Sequence, residues 1–129
     1  HHIHEKTPDF ICLNYANTDM VGHTGDFEAG KTAATFIDGC MSRLVPTMLE
    51  HEYSIIIIAD HGNSDIMMNA DGSPHTAHTT NMVPVICVSR DANLLSKEIK
   101  NGKLGDIAPT ILSIMNIEAP AEMDGNILI

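Results

Sequence analysis

Residues 53–59 read Tyr-Ser-Ile-Ile-Ile-Ile-Ala and stop abruptly at Asp60, His61, Gly62 and Asn63. Four consecutive β-branched side chains project alternately to both faces of a strand, so the segment needs apolar cover above and below, as strands of α/β sheets have. Two further runs share this character. Residues 9–15 (Asp-Phe-Ile-Cys-Leu-Asn-Tyr) and 83–88 (Val-Pro-Val-Ile-Cys-Val) predict strands, the first buried on both faces, with Pro84 tolerable at a strand start. Between the first two strands, Ala34, Ile37, Met41, Leu44 and Met48 recur at steps of three and four. They predict a helix over 26–50 with one buried stripe, kinked or ended in its first segment by Pro46. Strand, helix and strand in this order predict a right-handed parallel crossover. Residues 69–73 (Asn-Ala-Asp-Gly-Ser) signal a turn or hairpin, and residues 104–115 a closing helix with Asp106 as N-cap and Pro109 in its first turn. The expected class is α/β, and no repeat, low-complexity stretch or linker interrupts it.

Composition limits the partners. A chain of 129 residues suffices for one compact domain and not for two. Seven Lys+Arg against 17 Asp+Glu leave a net charge of −10, which repels nucleic-acid backbones and anionic membrane surfaces. The longest apolar run, 55–59, is far below the roughly 20 residues of a bilayer-spanning helix. Cys12, Cys40 and Cys87 are scattered among apolar neighbours without Cys-x-x-Cys spacing, which predicts buried, reduced thiols and a cytoplasmic setting. The eight methionines, Met67 and Met68 included, are expected to fill the core. His1, His2 and His4 crowd the start, and residues 1–6 are read as tag or linker ahead of a folded part at 7–129. His51 is expected to cap the end of the long helix.

Ligand sites of open α/β sheets lie beyond the carboxyl ends of the strands, and here both central strands run into carboxylate plus histidine. Asp19 and His23 follow the first strand four residues apart, a spacing that puts both on one helical face within reach of one cation. Asp60 and His61 follow the second. As neighbours leaving a strand they are expected to diverge, which suits two metals better than one. His75 and His78 lie in a third polar stretch that runs into the strand near Val83. The mixed nitrogen and oxygen donors fit Mn²⁺, Zn²⁺ or Fe and disfavour Ca²⁺.

The stretches 14–25 (Asn-Tyr-Ala-Asn-Thr-Asp-Met-Val-Gly-His-Thr-Gly), 59–63 (Ala-Asp-His-Gly-Asn), 75–84 (His-Thr-Ala-His-Thr-Thr-Asn-Met-Val-Pro) and 104–112 together resemble the carboxy-terminal part of the cofactor-independent phosphoglycerate mutases. These belong to the alkaline phosphatase superfamily. The resemblance covers nearly the whole chain from Thr7 onward. It implies an isomerase of glycolysis and gluconeogenesis that interconverts 3-phosphoglycerate and 2-phosphoglycerate through a phosphoserine. It implies two divalent ions, foremost Mn²⁺ with Mg²⁺, Co²⁺ or Zn²⁺ as alternatives, and no need for 2,3-bisphosphoglycerate. By motif, Asp19, His23 and His78 resemble the ligands of one ion, and Asp60 and His61 those of the other. His78 is preferred to His75 as the histidine of the His-Thr-x-Asn-x-Val-Pro pattern. The family's serine nucleophile, a further metal-binding aspartate and an inserted substrate-binding domain precede this segment and have no counterpart here. The chain is therefore expected to be part of an interrupted phosphatase-like domain, inactive alone and able to self-associate through an exposed sheet edge. Two alternatives remain: another metalloenzyme of the superfamily (a phosphopentomutase or phosphatase), or a non-catalytic metal-binding module.

Overall fold

A computed structural model describes residues 8–129; residues 1–6, read as tag or linker, lie outside the described residues. The elements run α1 (Asn17–Gly22), α2 (Phe27–Glu50), β1 (Ile55–Ile58), β2 (Val85–Val88), α3 (Ala92–Leu95), a 3₁₀ turn (Leu104–Asp106) and α4 (Ile107–Ile114). The α/β class stands, with two of the three expected strands formed. β1 and β2 pair antiparallel, Ile55 opposite Val88 and Ile58 opposite Val85, whereas the expected crossover joins residues 9–15 to β1. No parallel crossover forms among the described residues.

Residues 9–15 are the main correction. They carry no strand, and Phe10, Ile11 and Leu13 are exposed. Apolar, β-branched composition records fit to a pleated and covered surface; without a partner strand the amides have no ladder to join. Cys12, expected buried, is exposed for the same reason, while Cys40 and Cys87 are half-buried and free. Tyr53 Oη donates to Pro8 O and ties the start of this segment to the approach to β1.

The long helix forms as expected, with Asp26 as N-cap accepting from the Ala29 amide at 3.0 Å. Its covered face runs through Ala33, Ile37, Met41, Leu44 and Met48, with Ala34 turned out. Pro46 does not end it, because the helix continues to Glu50. The carbonyl that loses an amide partner belongs to Ser42, which is exposed and reaches water. The helix closes with Glu52 in the left-handed region at φ 63°, where Tyr53 N–H bonds Met48 O at 3.0 Å and turns the chain into β1. His51 caps it, its Nδ1 lying 2.8 Å from Thr47 O.

Pro84 stands just ahead of β2, where it removes no ladder bond. The turn at 69–73 forms a hairpin: Asn69 N–H bonds Ser73 O at 2.9 Å, and Met68 bridges Pro74. Asp106 is the N-cap residue of α4, but its carboxylate serves other amides. It accepts from Lys103 N–H and Asn126 N–H, both at 2.8 Å. Thr110, at 2% exposure, accepts from Leu128 N–H at 3.0 Å through its hydroxyl, which donates to Asp106 O at 2.6 Å. The carboxy-terminal tail is thereby fastened to α4.

Met48, Met67, Leu94 and Leu128 are buried, whereas Met20, Met68 and Met82 are exposed, so core filling accounts for only some of the methionines. The chain exposes 9179 Å². A compact monomer of its 14.0 kDa would expose about 6,700 Å². The apolar faces of residues 9–15 and of α2 at Phe36 contribute to that excess.

Candidate metal centre

Three loops meet at one end of the β1–β2 ladder. α1 is a single short helix, and it brings Asp19 to the same side as His23, its C-terminal cap. The bend after β1 carries Asp60 and His61, and the irregular segment before β2 carries His78. Asp19, His23 and His78 converge: their donor atoms lie within 4.8 Å of one another. The three contacts are Asp19 Oδ1 to His23 Nε2 at 3.3 Å, Asp19 Oδ1 to His78 Nε2 at 3.2 Å, and His23 Nε2 to His78 Nε2 at 3.2 Å. Donors about 2.0–2.2 Å from one cation stand about 3.0–3.5 Å apart, so this triangle has the spacing of a coordination face.

The chemistry of the donors agrees. His23 Nδ1 lies 2.7 Å from Thr76 O, which can only accept, so Nδ1 carries a proton and Nε2 is the nitrogen that faces the triangle. Asp19 accepts from Asn63 Nδ2 at 2.7 Å, and this bond, with the neighbouring His23, His61 and His78, holds its carboxyl below the usual carboxylate range. An ionised carboxylate beside inward-facing imidazole nitrogens is a donor set that a divalent ion can use.

His61 completes the cluster. Its ring stacks on His78 with centroids 3.6 Å apart and planes at 18°. Its Nδ1 approaches Gly62 O at 3.3 Å, and its Nε2 lies 3.8 Å from Asp19 Oδ1 and 3.7 Å from Asp60 Oδ1. Asp60 and His61 therefore do not diverge as expected: strict alternation of side chains ends with β1, and both residues sit in a bend. Asp60 is the most open of the set, its side chain 82% exposed. His75 stays outside the triangle, its Nδ1 buried without a hydrogen-bond partner.

Sequence reading missed the residues that hold these ligands. Asn63, 7% exposed, also reaches Asp19 O at 3.4 Å, and Ser64 Oγ donates to Thr18 O at 3.0 Å, so the loop after β1 grips α1. Gly22 permits this approach, since a Cβ there would collide with Asn63 Oδ1. The signal available was the run of small polar residues directly after Asp60 and His61.

Among curated proteins, the chain is 51% identical over 115 residues to the 2,3-bisphosphoglycerate-independent phosphoglycerate mutase of Flavobacterium johnsoniae, covering 89% of this chain and 22% of that protein. It is 50% identical to the protein of the same name from Bacteroides thetaiotaomicron, covering 98% of this chain and 25% of that one. Among solved structures, a phosphoglycerate mutase of Leishmania mexicana, crystallised at low cobalt concentration, superimposes with a TM-score of 0.68 at 28% identity. That match covers 88% of this chain and 24% of the other. The chain thus spans about a quarter of the length of the relatives it matches. No helix among the described residues is long and apolar enough to cross a membrane. With residues 1–119 matching its profile, and with Asp19, His23 and His78 grouped closely enough that they could hold a metal ion, the chain belongs to the Metalloenzyme superfamily.

Proposed function

We propose that this chain is the metal-holding part of a 2,3-bisphosphoglycerate-independent phosphoglycerate mutase, interconverting 3-phosphoglycerate and 2-phosphoglycerate through a phosphoserine in a cytoplasmic glycolytic and gluconeogenic role. The observation that carries this reading is the donor triangle of Asp19, His23 and His78, in a chain half identical to proteins of that name. Those three residues are assigned to one divalent ion, and Asp60 and His61 to a second. Mn²⁺ suits this imidazole and carboxylate set, with Mg²⁺, Co²⁺ and Zn²⁺ as competitors. When bound, such ions neutralise phosphoryl oxygens and lower the pKa of an attacking hydroxyl.

The chain's own residues prepare the site. Thr76 O fixes the His23 tautomer, Asn63 orients Asp19, and His61 stacks against His78. No serine of this chain is assigned as nucleophile; Ser64, nearest the ligands in sequence, donates its hydroxyl hydrogen bond to Thr18 O. The isolated chain is accordingly expected to lack mutase activity.

Splicing these residues in place of the matching segment of the Flavobacterium johnsoniae relative tests the reading. The chimera should interconvert the two phosphoglycerates with added Mn²⁺, and His78→Ala should abolish the conversion. A preference for pentose 1-phosphates or generic phosphate esters, or no activity in a folded, metal-loaded chimera, would sink it.

A further inference from the structure

Asp65 stands outside the ligand set and takes no part in the triangle, yet it ties together the two loops that carry His61 and His78. Its Oδ2 accepts from Asn81 Nδ2 at 2.6 Å and from Thr79 Oγ1 at 2.9 Å, and its Oδ1 lies 3.1 Å from the same hydroxyl. The backbone doubles the connection, with Thr79 N–H donating to Gly62 O at 2.8 Å in an isolated antiparallel bridge. Gly62 allows the loops to come this close: a Cβ there would strike Thr79 Oγ1 and stand 2.8 Å from Asp65 Oδ1. Asn81 foremost, then Thr79, keep the Asp65 carboxyl below the usual carboxylate range, so it is ionised and acts only as an acceptor at neutral pH. Its bonds are charge-assisted and short.

The consequence falls on His78. It is the residue before Thr79, and no hydrogen bond from its own segment orients its ring toward Asp19. Its Nε2 contacts are with the other ligands, and its ring rests on His61. We infer that Asp65 is a positioning residue of the metal centre, clasping Thr79 and Asn81 so that His78 stands over His61 with its Nε2 in the donor triangle. This rests on the proposed ligand role of His78. Outer-shell partners of metal ligands commonly set affinity by about 10–100-fold, and a clasp that places one of three ligands falls in that class.

The experiment is titration calorimetry of the 129-residue chain with Mn²⁺, alongside the visible absorption spectrum of Co²⁺ bound at the same site. Asp65→Asn should weaken Mn²⁺ binding by about 10–100-fold and change the Co²⁺ bands, while the melting temperature of the metal-free chain stays put. The exchange Asp65→Asn with Asn81→Asp puts the carboxylate on the other side of the same contact, and should recover affinity and spectrum. His78→Ala is the control. If His78→Ala leaves Mn²⁺ binding intact, or the unaltered chain binds none, the ligand assignment fails. If His78→Ala abolishes binding while Asp65→Asn binds like the parent, the clasp alone is overturned. A loss in Asp65→Asn that the exchange does not recover, or a parallel fall in melting temperature, also overturns it by marking Asp65 as general support of the fold.

Discussion

Asp19 and Asp106 are both aspartates held below the usual carboxylate range, and they hold opposite offices. Asp106 is buried at 2% exposure and spends its oxygens on backbone donors, the Lys103 and Asn126 amides. Both of its oxygens are engaged, and it locks the carboxy-terminal tail to α4. Asp19 takes one strong donor, Asn63, and turns the same oxygen toward the Nε2 atoms of His23, His61 and His78. A carboxylate satisfied by amides stabilises the fold; one aimed at three imidazole Nε2 atoms leaves work for a cation. What separates the two is the set of groups folding brings against them, since the side chain is the same.

That contrast can be broken by mutation. Removing a member of the triangle, Asp19→Ala or His78→Ala, should lower Mn²⁺ affinity by more than the roughly 100-fold upper range of outer-shell changes. Calorimetry should register this with the melting temperature of the metal-free chain unmoved. Asn63→Ala is next: about 10–100-fold weaker Mn²⁺ binding, because Asp19 keeps its carboxylate and loses its orientation. At the other pole, Thr110→Val removes the buried hydroxyl that accepts from Leu128 N–H and donates to Asp106 O. It should destabilise the chain by about 1–3 kcal/mol in denaturant unfolding and leave metal affinity alone. The smallest effect concerns acid. Because the Lys103 and Asn126 amides hold the Asp106 carboxyl below the usual carboxylate range, its contribution is complete above the ordinary value and fades as pH falls through the lower folded value. Stability of the parent chain should therefore decline on acidification from about pH 4 downward, and Asp106→Asn should flatten that part of the profile.

Legibility differed between the two regions for a related reason. Period and capping predicted α2 and the closing helix with its Asp106 cap, because these depend on residues within a few positions of each other. The candidate donors were legible because the pairing of Asp with His is local to each short motif. Asn63 and Asp65 were not: their partners are Asp19, 44 residues away, and Thr79 and Asn81, 14 and 16 away, and short polar residues after a strand read as ordinary turn formers. Residues 9–15 show the reverse error, since a strand composition without a partner in reach remains an uncovered apolar segment.

The amino-acid sequence by itself determined the α/β class, the long helix, the two isoleucine- and valine-rich strands, the acidic balance and the five candidate ligands. Local sterics, side-chain period and donor type suffice for those. Only the tertiary structure decided that β1 and β2 run antiparallel, that the donor atoms of Asp19, His23 and His78 close into one triangle, that Asp60 and His61 point together, and that Asn63 and Asp65 brace the loops. Each of those depends on which distant backbone lies within hydrogen-bonding reach, through openings left by Gly22 and Gly62, and a linear pattern carries no record of that distance.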